Sequence, residues 1–211
     1  MNSGIHFSNY LHEPPKEEHF RRLALCRPDT VKTCLFPATG WDQAAVHRRL
    51  RVEHPTALIV ARLFADMRGG VWHDFAELFA DAIAATLPYV DFYELHNEPN
   101  LAWEWPASRG AFVEWAGYQL ERLRADHPTA RWCFPGLAVN EDYQEWWQAC
   151  LRVIDKFDAW GVHCYWQEGN WVHPYYGRAY ETAHRLLPAK PIIVTEFGDT
   201  TVRRTPADKL P

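Results

Sequence analysis

The sequence has no long hydrophobic run, no CxxC cysteine pair and no excess of basic residues. A helix that crosses a bilayer needs about 20 consecutive apolar residues, so we predict no membrane partner. The 22 basic and 27 acidic residues give a net charge of −5. Because nucleic-acid-binding surfaces are normally basic, we also predict no nucleic-acid partner. The sequence leaves the oligomeric state unknown.

The five cysteines do not form a disulfide framework, because their number is odd and their spacing is irregular. They are Cys26, Cys34, Cys133, Cys150 and Cys164. Three of them lie in apolar, strand-like runs, which predicts buried free thiols in a reducing compartment. The first ten residues lack the basic and apolar regions of a signal peptide. We therefore expect a cytoplasmic protein, with secretion left open if a leader has been removed.

Aromatic residues make up 15% of the chain, with 11 Trp among them. Flat aromatic rings suit the apolar faces of sugars, but an aromatic-rich core explains the number equally well. The apolar fraction of 47% and the charged fraction of 23% are typical of globular proteins. A length of 211 residues suits one domain, which we expect to span residues 1–211.

Apolar strand-like runs alternate with helical patterns along the chain. The clearest helix has Phe75, Phe79 and Ile83 at the spacing of one buried face. Further helices are predicted at 109–126 and 173–187. After a short apolar piece at 5–7, the strand-like runs are 31–36, 57–63, 90–96, 131–136, 158–165 and 191–195. Such repeated strand–helix units predict a parallel sheet covered by helices.

Two architectures fit this alternation, an open doubly wound sheet and a (β/α)₈ barrel. No GxGxxG or GxxxxGK[ST] loop follows any strand, so a nucleotide-binding doubly wound sheet lacks support. A barrel normally has eight strands in about 250 residues, whereas the polar residues after 200 offer no eighth strand. We predict a TIM-type (β/α) barrel that lacks the eighth strand and the last helices and is incomplete at its C-terminus.

Chemistry-bearing residues follow the predicted fourth, sixth and seventh strands. The fourth ends in His96-Asn97-Glu98-Pro99, the sixth in His163-Cys164-Tyr165, and the seventh in Thr195-Glu196-Phe197-Gly198. The carboxyl ends of barrel strands meet at one mouth, where active sites lie. Two carboxyl groups held about 5–5.5 Å apart there can cleave a glycosidic bond with retention of configuration.

These three motifs resemble glycoside hydrolase clan A, the retaining (β/α)₈ glycosidases, and most closely its cellulase-type family. That clan places Asn-Glu-Pro after strand four, Glu after strand seven and, in several families, His-x-Tyr after strand six. The resemblance covers about residues 4–200. It implies that Glu98 is the acid/base, that Glu196 is the nucleophile, and that the partner is an oligosaccharide, polysaccharide or glycoside.

The resemblance also implies roles for the neighbouring residues. Asn97 would bind the sugar 2-hydroxyl, Tyr165 would donate to Glu196, and His163 would contact the sugar. The clan often has an arginine on its second strand; Lys32 stands there in this chain, and we assign Arg62 on the third strand to the site. Further candidates for the substrate site are His6, Asn9, His96, Trp103, Trp105, Trp166 and Trp171.

We predict no cofactor and no metal. The sequence has no HxH or HExxH motif, and its histidines fall on different strands without ligand spacing. A metal-dependent barrel hydrolase would need three converging histidines or carboxylates, and the sequence shows no such set. The alternative function left open is a non-catalytic carbohydrate-binding barrel, or an inactive fragment of an enzyme, because the eighth strand is missing.

Overall fold

The computed structural model describes residues 4–7, 13–67, 73–140, 142–167 and 172–200. Seven strands alternate with six helices in this part of the chain. The strands are β1 (Gly4–His6), β2 (Thr30–Leu35), β3 (Leu58–Leu63), β4 (Phe92–Leu95), β5 (Trp132–Phe134), β6 (Ala159–Trp166) and β7 (Ile192–Asp199). The helices are α1 (Glu17–Cys26), α2 (Gln43–Glu53), α3 (Phe75–Thr86), α4 (Arg109–Asp126), α5 (Tyr143–Ile154) and α6 (Ala179–Leu186).

The seven strands form one parallel sheet in the order of the sequence. The sheet curves into a nearly closed barrel with the helices between its strands. No pairing joins β1 to β7 among the described residues, so the barrel is open between them. The predicted TIM-type barrel is therefore confirmed, with seven strands in the part of the chain that the structure describes. Of the helices described, none is both long and apolar enough to cross a membrane.

Alternate residues of each strand face the helices, as the period of a strand requires. On β6 these outward residues are Trp160, Val162 and Cys164, all fully buried in the main core. That core extends along α3, α4 and α5 and contains most of the buried aromatic rings. Four of the five cysteines are buried and none of the five forms a disulfide, in agreement with the sequence prediction.

The inward residues form two layers with opposite character. The lower layer is apolar and consists of Val60, Phe92, Cys133 and Ala159. The layer above it, nearer the carboxyl ends of the strands, contains charged residues, including Arg62 on β3 and Glu94 on β4, which lie opposite each other in register. Charges inside a barrel must be paired, because an isolated buried charge is costly. The upper layer is where the candidate site lies.

A β-bulge in the last strand pair sets the direction of Glu196. Val162 pairs with Val194, but the next residue, His163, pairs with Glu196, so Thr195 is an extra residue in β7. An extra residue reverses which face the following side chains occupy. If β7 paired regularly through Thr195, Glu196 would share the outward face of Val194. The bulge turns Glu196 into the barrel, beside His163.

Candidate active site

The turn after β4 presents Glu98 at the barrel mouth. His96 and Glu98 adopt positive φ angles of 70° and 33°, which few non-glycine residues do. The backbone N–H of Glu98 donates to the carbonyl of Gly136 across 3.1 Å, and Leu101 N–H donates to the carbonyl of Glu98 across 2.9 Å. These bonds hold an unfavourable backbone conformation, which is common at functional sites.

Glu196 is surrounded by donors on both of its carboxylate oxygens. Its Oε1 lies 2.7 Å from Arg62 Nη1 and 3.2 Å from Lys32 Nζ. Its Oε2 accepts a hydrogen bond of 2.7 Å from the Tyr165 hydroxyl. Burial alone would raise the pKa of Glu196, but the positive charges of His163, Lys32 and Arg62 and the Tyr165 bond hold it well below its usual range. Glu196 is therefore ionised at neutral pH.

Glu98 and Glu196 face each other across the mouth. One oxygen of each carboxylate lies within 4.8 Å of the other, and their side chains are 17% and 13% exposed. His163 is fully buried beneath both, with Nδ1 2.9 Å from Glu98 Oε1 and Nε2 3.7 Å from Glu196 Oε1. The predicted contact between His163 and a sugar does not fit this burial. The imidazole instead orients the two carboxylates from below.

Asn97 and Arg62 lie beside this pair. Arg62 Nη1 donates to Asn97 Oδ1 across 2.5 Å as well as to Glu196. Asn97 Nδ2 donates to Glu104 Oε1 across 3.0 Å. The amide is thus fixed by two protein partners, and the second N–H of Nδ2 has no other hydrogen bond among the described residues. Burial raises the pKa of Glu104, and the hydrogen bond from Asn97 offsets only part of this effect.

The two histidines assigned to the substrate site take different positions. His96 is fully buried; its Nε2–H donates to the carbonyl of Glu104, and its ring lies near Phe75 and Trp115. Burial lowers its pKa to about 4. His96 therefore belongs to the barrel wall, which corrects its assignment as a substrate contact. His6 is exposed at the end of β1; partial loss of water and the charges of Lys32 and Arg62 lower its pKa to about 4.

The tryptophans also differ from one another. Trp103 is 63% exposed on the loop after β4, so its ring is open to a ligand. Trp105, two residues later, is 3% exposed and packs on Phe112 and Trp115, so it is a core residue and not a sugar platform.

Trp166 leaves β6 on the face opposite Tyr165 and packs edge to face against Phe197, with ring centroids 4.7 Å apart. Its ring is partly exposed, and its assignment to the substrate site stays a prediction. Asn9 and Trp171 fall outside the described residues.

Three further charged residues of the site were not assigned to it from the sequence, although Lys32 was noted on the second strand. Lys32 and Glu94 form a buried ion pair of 2.7 Å inside the barrel, and Glu104 joins the site from the loop after β4. Lys32 on β2 and Glu94 on β4 each occupy an inward position of an apolar strand. An assignment of the inward residues of these strands would have indicated both side chains. Glu104 lies in an irregular loop, and no pattern in the sequence indicates its direction.

The structure brings together three groups of types that bind metals. Glu98, His163 and Glu196 each offer an atom within 4.8 Å of the others. This corrects the expectation that no such set converges, because the barrel unites residues that are distant in sequence. Lys32 and Arg62 already neutralise Glu196, however, and their charges oppose a further cation there. The absence of a metal cofactor stays a prediction.

A cavity of about 410 Å³ lies along the opening between β1 and β7. It is lined by both strands and reaches His6, Lys32 and Glu196. Two of its lining residues on β7 are exposed, Val194 to 40% and Phe197 to 68%. The nucleophile candidate is thus bordered by protein on the β6 side and by this cavity on the β1 side.

Residues 88–209, more than half of the chain, match the family described as glycosyl hydrolase catalytic core. That segment begins before β4 and includes Glu98, His163, Tyr165 and Glu196. No curated protein matches the chain. The family match agrees with the resemblance to clan A that the strand-end motifs indicate, and confirms it.

Several solved structures share the fold at low sequence identity. N2152 from Neocallimastix frontalis is 17% identical with a TM-score of 0.64, and the match covers 94% of this chain but 52% of that protein, about half its length. A GH128 (subgroup I) endo-beta-1,3-glucanase from Amycolatopsis mediterranei in complex with laminaritriose is 17% identical (TM-score 0.55; 99% and 78% covered). A beta-glucuronidase from Bacteroides uniformis is 16% identical (TM-score 0.62; 91% and 24% covered). These likenesses show the fold.

Proposed function

The chain belongs to the glycosyl hydrolase catalytic core family, and we propose that it hydrolyses O-glycosidic bonds with retention of configuration. Glu196 is the nucleophile and Glu98 the acid/base. The observation that carries this proposal is the approach of one oxygen of each carboxylate to within 4.8 Å. Retaining enzymes hold the two groups about 5–5.5 Å apart, whereas inverting enzymes leave about 6.5–9.5 Å for a water molecule.

In the first step, Glu196 attacks the anomeric carbon and the bond to the leaving oxygen breaks. Glu98 gives its proton to that oxygen, so the products are a glycosyl ester of Glu196, an alcohol and the Glu98 carboxylate. Oε1 of Glu196 has both in-plane lone pairs engaged by Arg62 and Lys32, whereas Oε2 accepts from Tyr165 alone. Oε2 therefore keeps a lone pair and is the attacking atom.

In the second step, water attacks the same anomeric carbon. Glu98 takes a proton from that water as the ester bond breaks, which restores the Glu98 acid and the Glu196 carboxylate. The low pKa of Glu196 favours this step, since a well-stabilised carboxylate is a good leaving group. The Asn97 amide and the exposed Trp103 ring lie on the same side of the mouth as Glu98 and are the candidate contacts for the sugar.

The substrate we propose is a neutral oligosaccharide or polysaccharide, because both buried cations near the nucleophile already have carboxylate partners within the barrel. Laminarin-type β-1,3-glucans are the first to be tested, given the endo-beta-1,3-glucanase among the structural neighbours. Aryl glucosides and glucuronides complete the panel. Equal or better turnover of the glucuronide would overturn the neutral-sugar part of the proposal.

Substitution of each glutamate separately tests the mechanism. Glu196→Ala should abolish turnover of an aryl glycoside, and added azide should restore it with a glycosyl azide of inverted configuration. Glu98→Ala with azide should give the retained azide. Glu121→Gln, an exposed residue on α4, is the matched control and should keep full activity. Wild-type rates in Glu196→Ala would refute the assignment.

The opening between β1 and β7 favours one alternative, a barrel that binds carbohydrate without cleaving it. The cavity there leaves one side of Glu196 without a wall. Sugar binding by calorimetry with no product and no covalent adduct on Glu196 would support that function. Turnover that disappears in Glu196→Ala would reject it.

A further inference from the structure

Glu94 is a fully buried carboxylate that the proposed reaction does not use. It lies on β4, in the upper layer of the barrel, four residues before Glu98 at the mouth. Burial would raise the pKa of Glu94, but the charges of Lys32, His163 and Arg62 hold it below its usual range. A buried charge of this kind is costly unless it is paired, so the groups that contact Glu94 indicate its role.

The barrel has space built around this carboxylate. Oε1 of Glu94 accepts a hydrogen bond of 3.2 Å from the backbone N–H of Gly136 on the loop after β5. A Cβ at Gly161 on β6 would lie 2.9 Å from the same oxygen and 2.6 Å from the carbonyl of Phe134. The glycine on β6 therefore leaves room for the carboxylate of Glu94. The hydrogen bond from Gly136 fixes the position of that carboxylate.

Lys32 links Glu94 to the site. Its ammonium lies 2.7 Å from Glu94 Oε2 and 3.2 Å from Glu196 Oε1, and its side chain is 4% exposed. A lysine stem has four rotatable bonds, so one anion alone fixes its ammonium poorly. With an anion on each side, the ammonium has one position. Arg62 then supplies the second donor to Glu196 Oε1.

We propose that Glu94 is a positioning residue that acts on Glu196 through Lys32. It holds the ammonium against Oε1 and so keeps Oε2 as the free oxygen, and its negative charge moderates the pull of Lys32 on Glu196. The kinetic part of this inference rests on the proposed function; the placement of Lys32 does not. The positive charge stabilises the Glu196 carboxylate over its neutral glycosyl ester, so it slows ester formation and speeds ester breakdown.

Two variants should therefore shift the reaction in opposite directions. Glu94→Gln keeps the shape and leaves Lys32 attracted by Glu196 alone, so trapping by a 2-fluoro glycosyl fluoride should slow and reactivation of the trapped ester should speed up. Lys32→Met with Glu94→Gln removes the pair and leaves no unpaired buried charge, so trapping should speed up relative to reactivation. We expect the ratio of the two rates to change about tenfold or more each way, given how strongly charges interact in a barrel interior.

The kinetic measurement separates positioning from damage. A structural defect would lower both rates in both variants and leave their ratio unchanged, and that result would overturn the proposal. Glu145→Gln, which removes an exposed carboxylate paired with Arg109, is the matched control and should behave as the wild type.

A second measurement does not depend on catalysis. The side-chain ¹⁵N signal of Lys32 should show slow proton exchange in the wild type and faster exchange in Glu94→Gln, where Glu196 alone fixes the ammonium. An unchanged signal would overturn the proposal. A wild-type chain that shows the protected signal but forms no covalent adduct would instead count against the proposed function alone.

Discussion

At the scale of single residues, Gly136 is the position where the site tolerates least change. A Cβ there would lie 2.2 Å from Cδ2 and 2.4 Å from Nε2 of His163. Gly136→Ala must therefore move the imidazole and its contact with Glu98. We expect kcat/KM for an aryl glycoside to fall about 100-fold, the typical effect of a catalytic group displaced by about 1 Å, with KM changed less than kcat.

The matched control is Gly110→Ala on α4, where nothing lies within 4 Å of the added Cβ. That variant should keep wild-type kinetics and unfold at slightly higher denaturant, because alanine is preferred over glycine in a helix by about 1 kcal/mol. If Gly136→Ala also kept wild-type kinetics, His163 would not be needed to place Glu98.

Sequence reasoning at this scale found the residues that end strands. Glu98, Tyr165 and Glu196 follow apolar runs directly, so the barrel topology alone brings them to one mouth. It misplaced His96, His163 and Trp105, because exposure within a turn depends on contacts with distant residues such as Phe75 and Trp115. It missed Glu94 because a single charge in an apolar strand has no partner that the local sequence reveals.

At the scale of elements, the bulge at Thr195 lets β7 contribute Glu196 to the site while Thr195 remains in the strand. Deletion of Thr195 would place Glu196 directly after Val194, and regular alternation opposite Val162 and His163 would still turn it into the barrel. We therefore expect the deletion variant to retain its circular dichroism spectrum and the covalent labelling of Glu196, at a lower rate because the bend of the bulge is lost.

Thr195→Val is the control for that deletion. It preserves the length of β7, and the hydroxyl it removes is buried without a hydrogen-bond partner among the described residues. The valine variant should remain active. Complete loss of labelling in the deletion variant would contradict the inward direction expected for Glu196 without the extra residue.

The helices and strands were predicted well where hydrophobic periodicity was strong. The expected helix at 109–126 agrees with α4. The expected helix at 173–187 was too long, since α6 covers Ala179–Leu186 and turns precede it. Pro174 and Gly177 disfavour a regular helix there, as their backbone preferences require. A bulge leaves no comparable sign in the sequence, because Thr195 suits a regular strand equally well.

At the scale of the whole molecule, two buried histidines make the fold sensitive to mild acid. Burial lowers the pKa of His47 and of His96 to about 4, from 6.5 in the unfolded chain. The unfolded state therefore binds protons first, and stability present above pH 6.5 is lost as the pH falls toward 4. By pH 5 the loss is about 2 kcal/mol for each histidine, by proton linkage.

Urea unfolding at pH 7.5, 6 and 5 measures this effect. His47 lies on α2 between the Thr33 hydroxyl and the Gln43 carbonyl. Because the pKa of His6 is also lowered to about 4, His47→Gln should remove about a third of the pH-dependent loss. The same substitution at the exposed His184 should leave the slope unchanged. Equal slopes for the His47 and His184 variants would contradict the assignment.

The barrel itself was predictable, since regular alternation of strands and helices leaves few other topologies. Its inner layering was not, because inward and outward residues of a doubly covered strand are both mostly apolar. Only the structure separates the apolar layer around Val60 and Phe92 from the charged layer above it.

The bulge also affects any attempt to redesign this barrel. Before Thr195 the odd-numbered residues of β7 face the lumen, and after it the even-numbered residues do. A library that diversifies the strand by a single alternating scheme would place half of its lumen substitutions against the helices. The two segments, Ile192–Val194 and Glu196–Gly198, should be randomised as if they were separate strands.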